Sequence, residues 1–306
     1  MTDEIRHLMR RAGLGKLIRD PEVLTGGHLH RMFGVTTERG RFAVKQLNPE
    51  IMARPDAMDN FIRSEEVARM ASSVIPACAA VIVDGCPVVH LEHRWMIFPH
   101  IDGVTVPDTE ITAEMAHKIG GILAKLHGMT ALPDETAEQG RIRVWREEDD
   151  PVHFQLYNRW ESLRVRKICG RTVLSHRDLE PKNILWHGGN PTLIDWEAAG
   201  KTNAAEDLFT TALYHSRTPD GISAERFGAF FRGYFTIASA ADFAGCDWDA
   251  VARCYYDLTD WLAYNLTRED RELGLEQAEW TRNELIRFDD ARQTLLGCIR
   301  DLTDMT

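Results

Sequence analysis

The stretch that decides the fold runs from Thr172 to Gly200 and reads TVLSHRDLEPKNILWHGGNPTLIDWEAAG. Asp178 and Asn183 stand five residues apart on a polar loop, so their side chains can face one space. The following NILWHGGNPTLID predicts a hairpin, because Gly188 and Gly189 allow a tight turn between two apolar runs. Folding back the second strand brings Asp195 toward the same space. Three oxygen donors of this kind suit a hard cation such as magnesium, which takes one or two carboxylates plus an amide oxygen and keeps several waters. An Asp-x4-Asn pair alone occurs in many polar loops; here His176, two flanking apolar strands and Ile194-Asp195-Trp196 accompany it.

Upstream, residues 1–101 have strand and turn character. Two β-rich runs, Met32 to Thr37 and Arg41 to Leu47, flank a charged turn at Gly40 and predict a hairpin. A helix is expected over Ala57 to Ser73, where Met58, Phe61, Ile62 and Met70 recur at helical spacing before Ile75-Pro76 stops the pattern. Strand-like runs AAVIVDG and CPVVHLEHRWMIFPHIDG follow. Then the composition changes: ITAEMAHKIGGILAKLHGMTAL predicts an amphipathic helix starting near Ile111 and Thr112 and ending near Gly128. From Pro151 onward helical periodicity dominates. These elements describe a small antiparallel sheet with one main helix joined to a larger, mostly helical part, with the boundary near Pro99 to Gly103.

At 306 residues the chain exceeds the usual size of one core, so two lobes or domains are expected. Its formal charge of -11 is uneven. Residues 1–101 carry 13 Lys+Arg against 12 Asp+Glu, which leaves 23 against 35 for the rest. A negative field of this kind attracts cations and repels nucleic acid and anionic membranes, so neither is an expected partner. Six cysteines are scattered without a C-x-x-C pair and read as reduced, mostly buried thiols of a cytosolic protein. MTDEIRHLMRR has no apolar signal-peptide core, no uncharged run approaches a membrane span, and a cytoplasmic location is expected.

The pair SHRDLEPKNILW and LIDWE resembles the motifs of the aminoglycoside phosphotransferase and choline kinase-like family, small-molecule kinases of protein-kinase-like fold. The family pattern is H-x-D-x-x-x-x-N followed by I-D-W/F-E. Further along the chain, LTGGHLHRMFGV resembles the phosphate-covering loop and FAVKQL the strand lysine. LAKLHG resembles the end of the first helix of the second lobe, and EDLFTTA the Asp-Leu pair at a helix start, here Asp207-Leu208. The resemblance implies an α+β, two-lobed fold: residues 1–100 as a nucleotide-binding lobe, residues 101–306 as a catalytic and acceptor-binding helical lobe.

It also implies roles. Asp178 accepts or orients the proton of a substrate hydroxyl, and Asn183 and Asp195 hold Mg²⁺. Lys45 contacts the α- and β-phosphates of ATP and is held by a helix glutamate, Glu65 or Glu66. Gly26 and Gly27 let backbone amides approach the phosphates, and Pro99 to Ile101 form the hinge that receives adenine. His176 and His127 are expected to be structural. Departures are Arg177 and Lys182, where the family has small residues, and GKTNAAED where it often reads G-D-P. Lys182 could contact the γ-phosphate.

A Ser/Thr protein kinase is disfavoured: Glu180 replaces the lysine two residues after the aspartate, and D-F-G, A-P-E and G-x-G-x-x-G are missing. Against a catalytically inactive nucleotide-binding regulator stands the joint presence of Lys45, Asp178, Asn183 and Asp195. The expected acceptor is a small molecule bearing a hydroxyl. WDAVARCYYDLTDWLAYNLTRED sets Asp257, Asp260, Trp261 and Tyr264 at spacings that share a helix face. Carboxylates beside aromatic rings suit a cationic amine; otherwise Trp261 and Tyr256 are core packing and the aspartates face solvent.

Overall fold

Helix α1 (Thr2–Arg11) precedes all strands and buries Ile5, Leu8 and Met9, with Asp3 and Glu4 in its first turn and Arg10 and Arg11 in its last. Both charge placements complement the helix dipole. Strands β1 (Glu22–Leu24), β2 (Arg31–Thr37), β3 (Gly40–Gln46), β4 (Val89–His90) and β5 (Arg94–Pro99) form an antiparallel sheet in the order β1-β2-β3-β5-β4. Helices α2 (Pro49–Met52) and α3 (Ala57–Ala71) lie between β3 and β4 in the chain.

The computed structural model describes residues 1–24, 30–129, 151–164, 166–267 and 270–303. Gly26 and Gly27 lie outside the described residues. One compact unit comprises Met1–Thr105 with His176–Gly200, the other Val106–Ser175 with Lys201–Thr306.

In the first unit the sheet is covered on both faces. On one, Phe33, Val35, Phe42, Val44, Trp95 and Ile97 pack with the α1 residues Ile5, Leu8 and Met9. On the other, Leu47 and Met96 join Met52, Ala57, Phe61, Ala80 and Val88. Strand alternation therefore turns Lys45, whose register partner on β5 is Met96, toward the second core, where it is buried. The sequence predicted one helix here. The additional α1 sits in a charged segment where only three inward residues mark the apolar stripe.

The hairpin predicted after Asn183 is present: Ile184–His187 pairs antiparallel with Asn190–Leu193. Its two-residue turn has Gly188 at φ 53° and Gly189 at φ 78°, the signature that two left-handed positions require. The backbone stitches this hairpin to the rest of its unit. Cys78 N–H donates to Leu193 O at 2.9 Å, and Trp186 and Val104 exchange two bonds of 2.8 and 3.1 Å. The run AAVIVDG contributes the isolated bridge Val83 to Cys86, not a strand.

The second unit contains α4 (Ala113–His127), α5 (Pro151–Arg164), α6 (Ala204–Tyr214), α7 (Ala224–Phe235), α8 (Trp248–Val251), α9 (Leu258–Thr267) and α10 (Arg271–Thr303). Thr112 caps α4 by accepting from Met115 N–H, and the helix stops at Gly128, close to the expected limits. Helices α4 and α7 approach so closely that a Cβ on Gly120 would sit 2.1 Å from Phe230 O, and one on Gly233 1.9 Å from His117 O. Between them Ser175 Oγ and His127 Nε2 both meet Asp207 Oδ2, at 2.6 and 2.9 Å, while Tyr234 OH meets His127 Nδ1 at 2.9 Å. His127 is thus structural, as expected, in a buried chain of polar partners. Asp257 lies in a 3-10 segment, Ala252–Asp257, that leads into α9.

The cysteine expectation is corrected. Cys169 and Cys246 form a disulfide, with Cα atoms 5.2 Å apart across 77 residues of sequence. Cys78, Cys86, Cys254 and Cys298 are free, and of these Cys78 is buried. Two loops joined only by the tertiary fold carry the pair, which linear spacing does not reveal. Among the described residues no helix is long and apolar enough to cross a membrane.

Candidate active site

The loop from His176 to Asn183 is held in place by its own backbone and by the hairpin. His176 Nε2 donates to Ile194 O at 2.9 Å, and its ring lies on Trp196 with centroids 4.6 Å apart. Asn183 O accepts from Ile194 N–H at 2.9 Å. These contacts lock the loop to the residue that precedes Asp195. His176 accordingly orients backbone, as the sequence reading held. Arg177 and Asp195 both adopt left-handed backbone, with φ 63° and 59°. For non-glycine residues that conformation is costly and concentrates where local geometry serves a purpose.

Asp178 and Asn183 are brought together. Asn183 Nδ2 donates to Asp178 Oδ2 at 2.9 Å and to Asp178 O at 2.7 Å. With the amide nitrogen so used, Oδ1 is the Asn183 atom that can ligate a cation. Lys182 Nζ stands 3.7 Å from Asp178 Oδ2 and 3.6 Å from Glu180 Oε1. Burial pushes the Asp178 carboxyl up to about 6, helped by the negative charge of Glu180 and opposed by Lys182 and Asn183. A carboxyl tuned close to neutrality is suited to proton transfer.

Lys45 reaches across the same unit to the hairpin exit. Its Nζ donates to Asp195 Oδ1 at 2.6 Å and to Glu197 Oε2 at 3.1 Å. Burial works against the ammonium, yet the charges of Asp195 and Glu197 outweigh it and hold the Lys45 pKa above its usual value. Glu197 shows the reverse balance. Burial would raise it, but the His30 hydrogen bond and the Lys45 charge bring it down to about 2.

Of the two helix glutamates, Glu65 turns inward and Glu66 is exposed. The expected Lys45 contact is corrected, however: Glu65 Oε2 accepts from Ala80 N–H at 2.7 Å, and the hydrogen-bond partners of Lys45 are Asp195 and Glu197. Burial, only partly offset by the Ala80 bond and Lys45, pushes Glu65 up to about 7. A carboxyl held partly protonated near neutral pH is a weaker partner for an ammonium than one that is fully ionised.

At the end of β5, Pro99 is exposed and Ile101 half-buried. The amide of His100 donates to Arg41 O at 3.1 Å, and a proline has no N–H. Within Pro99 to Ile101, Pro99 O accepts a long bond from Cys78 Sγ at 3.8 Å, which leaves it a second lone pair, and Ile101 carries the remaining backbone N–H.

Two residues of the cluster escaped the sequence reading. Glu197 was visible as the last letter of LIDWE but received no role. His30 lies inside LTGGHLHRMFGV, the run that resembles the phosphate-covering loop, but received no role there; it is buried, accepts from Asn48 N–H through Nδ1 at 3.0 Å, and lies 3.3 Å from Glu197 Oε2 through Nε2.

In the second unit, Trp261 and Tyr264 are 43% and 54% exposed and stack at 5.3 Å with planes 24° apart. Tyr256, in contrast, is fully buried and donates to Asp289 at 2.7 Å. Asp257 keeps an exposed edge while Oδ1 accepts from Trp160 Nε1 at 3.0 Å. Desolvation, then the charge of Glu206, pushes Asp257 up to about 6, with Asp260 adding to the repulsion. The acidic neighbours that raise Asp257 are thus Glu206 and Asp260, and Asp260 directly precedes Trp261 in the chain.

A model of the phosphotransferase enzyme family matches residues 20–248. Spectinomycin phosphotransferase, solved with ADP and spectinomycin, is similar with a TM-score of 0.65 at 12% identity, covering 92% of this chain and 94% of that one. A choline/ethanolamine kinase family protein from Mesorhizobium loti gives 0.62 at 17% identity over 98% and 99%. Amicoumacin kinase, solved with AMP-PNP, Ca²⁺ and Ami, gives 0.62 at 16% identity over 93% and 96%. At such identities the likeness is one of fold. Comparison with curated protein sequences yields no match.

Proposed function

Because the chain belongs to the phosphotransferase enzyme family and is a small-molecule kinase, we propose that it moves the γ-phosphate of ATP to a hydroxyl of a small, amine-bearing molecule. The carrying observation is that Lys45, Asp178, Asn183, Asp195 and Glu197 belong to one compact unit and form two hydrogen-bonded groups, Asn183 with Asp178 at 2.9 Å, and Lys45 with Asp195 at 2.6 Å and Glu197 at 3.1 Å.

In this reading Asp178 orients the acceptor hydroxyl and takes its proton, a task its raised pKa of about 6 suits at neutral pH. Lys45 offers a buried positive charge to the α- and β-phosphates, and Lys182 adds a second cation beside Asp178. Asn183 Oδ1 and the Asp195 carboxylate are hard oxygen donors that fit Mg²⁺. Bound there, the ion would neutralise negative charge on the phosphate oxygens. Pro99 O and the Ile101 amide are the hinge atoms offered to adenine.

The acceptor class rests on the patch of Asp257, Asp260, Trp261 and Tyr264 and on the acidic second part of the chain. An amine-bearing alcohol matches it through charge pairing and cation-π attraction. Support for a small acceptor over a peptide is that α6 begins at Ala204, nine residues after Asp195, too few for a peptide-docking segment. The test is transfer of labelled γ-phosphate across aminoglycosides, choline-like amino alcohols, amino acids such as homoserine, and neutral sugars. Labelling of an amine-bearing alcohol is expected, and labelling confined to neutral sugars contradicts the acceptor class.

A further inference from the structure

We infer that Glu197, oriented by His30, is the carboxylate that positions the Lys45 ammonium, in place of the helix residue Glu65; the inference rests on the phosphotransferase reading above. His30 is a positioning residue in this account, acting on Lys45 only through Glu197.

The hydrogen bonds give the direction of each link. Asn48 N–H donates to His30 Nδ1 at 3.0 Å. A neutral imidazole nitrogen that accepts carries no proton, so the ring proton sits on Nε2, which lies 3.3 Å from Glu197 Oε2. The anchor is rigid: Asn48 is the N-cap of α2, its side chain accepting from Glu50 N–H at 2.9 Å. Burial and an edge contact with the Phe61 ring at 5.7 Å hold the His30 plane. Glu197 Oε2 thus lies within 3.3 Å of His30 Nε2 and accepts from the Lys45 ammonium at 3.1 Å.

Glu65 is turned to other work. Its Oε2 accepts from Ala80 N–H at 2.7 Å, tying α3 to the segment before β4. Asp195 does contact Lys45, but it is also the residue proposed to ligate magnesium. Glu197 is the partner that can stay with Lys45 whether or not Asp195 is so engaged. A carboxylate that is itself fixed by a buried donor costs little to keep in position.

The test uses the full chain and a nonhydrolysable ATP analogue, titrated by calorimetry with and without Mg²⁺. Glu197→Gln and His30→Leu should weaken binding roughly tenfold, the loss expected for one charge-assisted hydrogen bond. His30→Gln should recover most of that loss, since a carboxamide can accept from Asn48 and donate to Glu197 at once. Glu65→Gln should weaken binding less than Glu197→Gln. In the wild-type protein without nucleotide or metal, ¹⁵N NMR should show the His30 proton on Nε2. The inference is overturned by a proton on Nδ1, by Glu65→Gln weakening binding as much as Glu197→Gln, or by His30→Gln faring no better than His30→Leu. If a variant does not fold, the wild-type spectrum decides. Wild-type protein that binds no nucleotide overturns the phosphotransferase reading itself, and this inference with it; normal wild-type binding with the reversed variant order overturns this inference alone.

Discussion

Lys45 Nζ lies 2.6 Å from Asp195 Oδ1, so the side chain offered to phosphates and the one offered to a metal neutralise each other across 150 residues of sequence. Removing the ammonium exposes what it holds together. Lys45→Met should destabilise the protein by about 2 kcal/mol at neutral pH, because carboxylates in a partly buried site lose their cation. The pH dependence follows from Glu197, whose folded pKa is depressed to about 2. A depressed carboxylate contributes stability above its unfolded pKa of 4.5 and loses it as pH falls toward 2. Denaturant melts should therefore show the gap between wild type and Lys45→Met narrowing from pH 5 downward; a gap that widens in acid contradicts the assignment.

Glu65 has the opposite sign. Its folded pKa of about 7 exceeds the unfolded 4.5, so the folded state holds the proton longer and stability falls as pH rises from 4.5 to 7. Glu65→Gln keeps an acceptor for the Ala80 amide without the ionisation. It should be more stable than wild type at pH 8, by at most about 3 kcal/mol, and show no such advantage at pH 4. Urea unfolding at the two values measures the difference.

Close helix approach makes a third prediction. A Cβ at Gly233 would lie 1.9 Å from His117 O, a contact with backbone that no rotamer relieves. Gly233→Ala should cost about 3 kcal/mol or more and lower the melting temperature accordingly, whereas Gly297→Ala, with nothing near its Cβ, should not.

The aromatic patch should act on the acceptor and leave the nucleotide alone. Trp261→Ala and Asp257→Asn should each raise the acceptor KM about fivefold, equivalent to roughly 1 kcal/mol of cation-π or charge attraction. The KM for ATP serves as the internal control. A rise in the ATP KM with no change for the acceptor removes the patch from the acceptor site.

Much of this was legible before any coordinates. The loop-hairpin unit from His176 to Asp195 was, because its donors sit on adjacent elements and a glycine pair dictates the return. Lys45 was too, as the lysine of the strand-like run FAVKQL that resembles the family's strand lysine. The partner of Lys45 was not: the sequence offered Glu65 or Glu66, and it is tertiary contacts that put Glu65 on the Ala80 amide and Lys45 on Asp195 and Glu197. His30 lay within LTGGHLHRMFGV but its role was hidden, because that role depends on Asn48 and Glu197, which flank it only in the fold. The Cys169–Cys246 bridge and helix α1 failed for similar reasons, one joining distant loops and the other showing too short an apolar stripe.

The most direct measurement is Mg²⁺-dependent transfer of labelled γ-phosphate from ATP to an amine-bearing alcohol by wild type and by Asp178→Asn. The asparagine keeps an acceptor for Asn183 Nδ2 but takes no proton. Labelled product should form with wild type, and kcat should fall by about 10² to 10⁴ in the variant while nucleotide affinity stays within threefold. Transfer by Asp178→Asn at the wild-type rate, or tight ATP binding by wild type with no transfer to any acceptor class, would contradict the account.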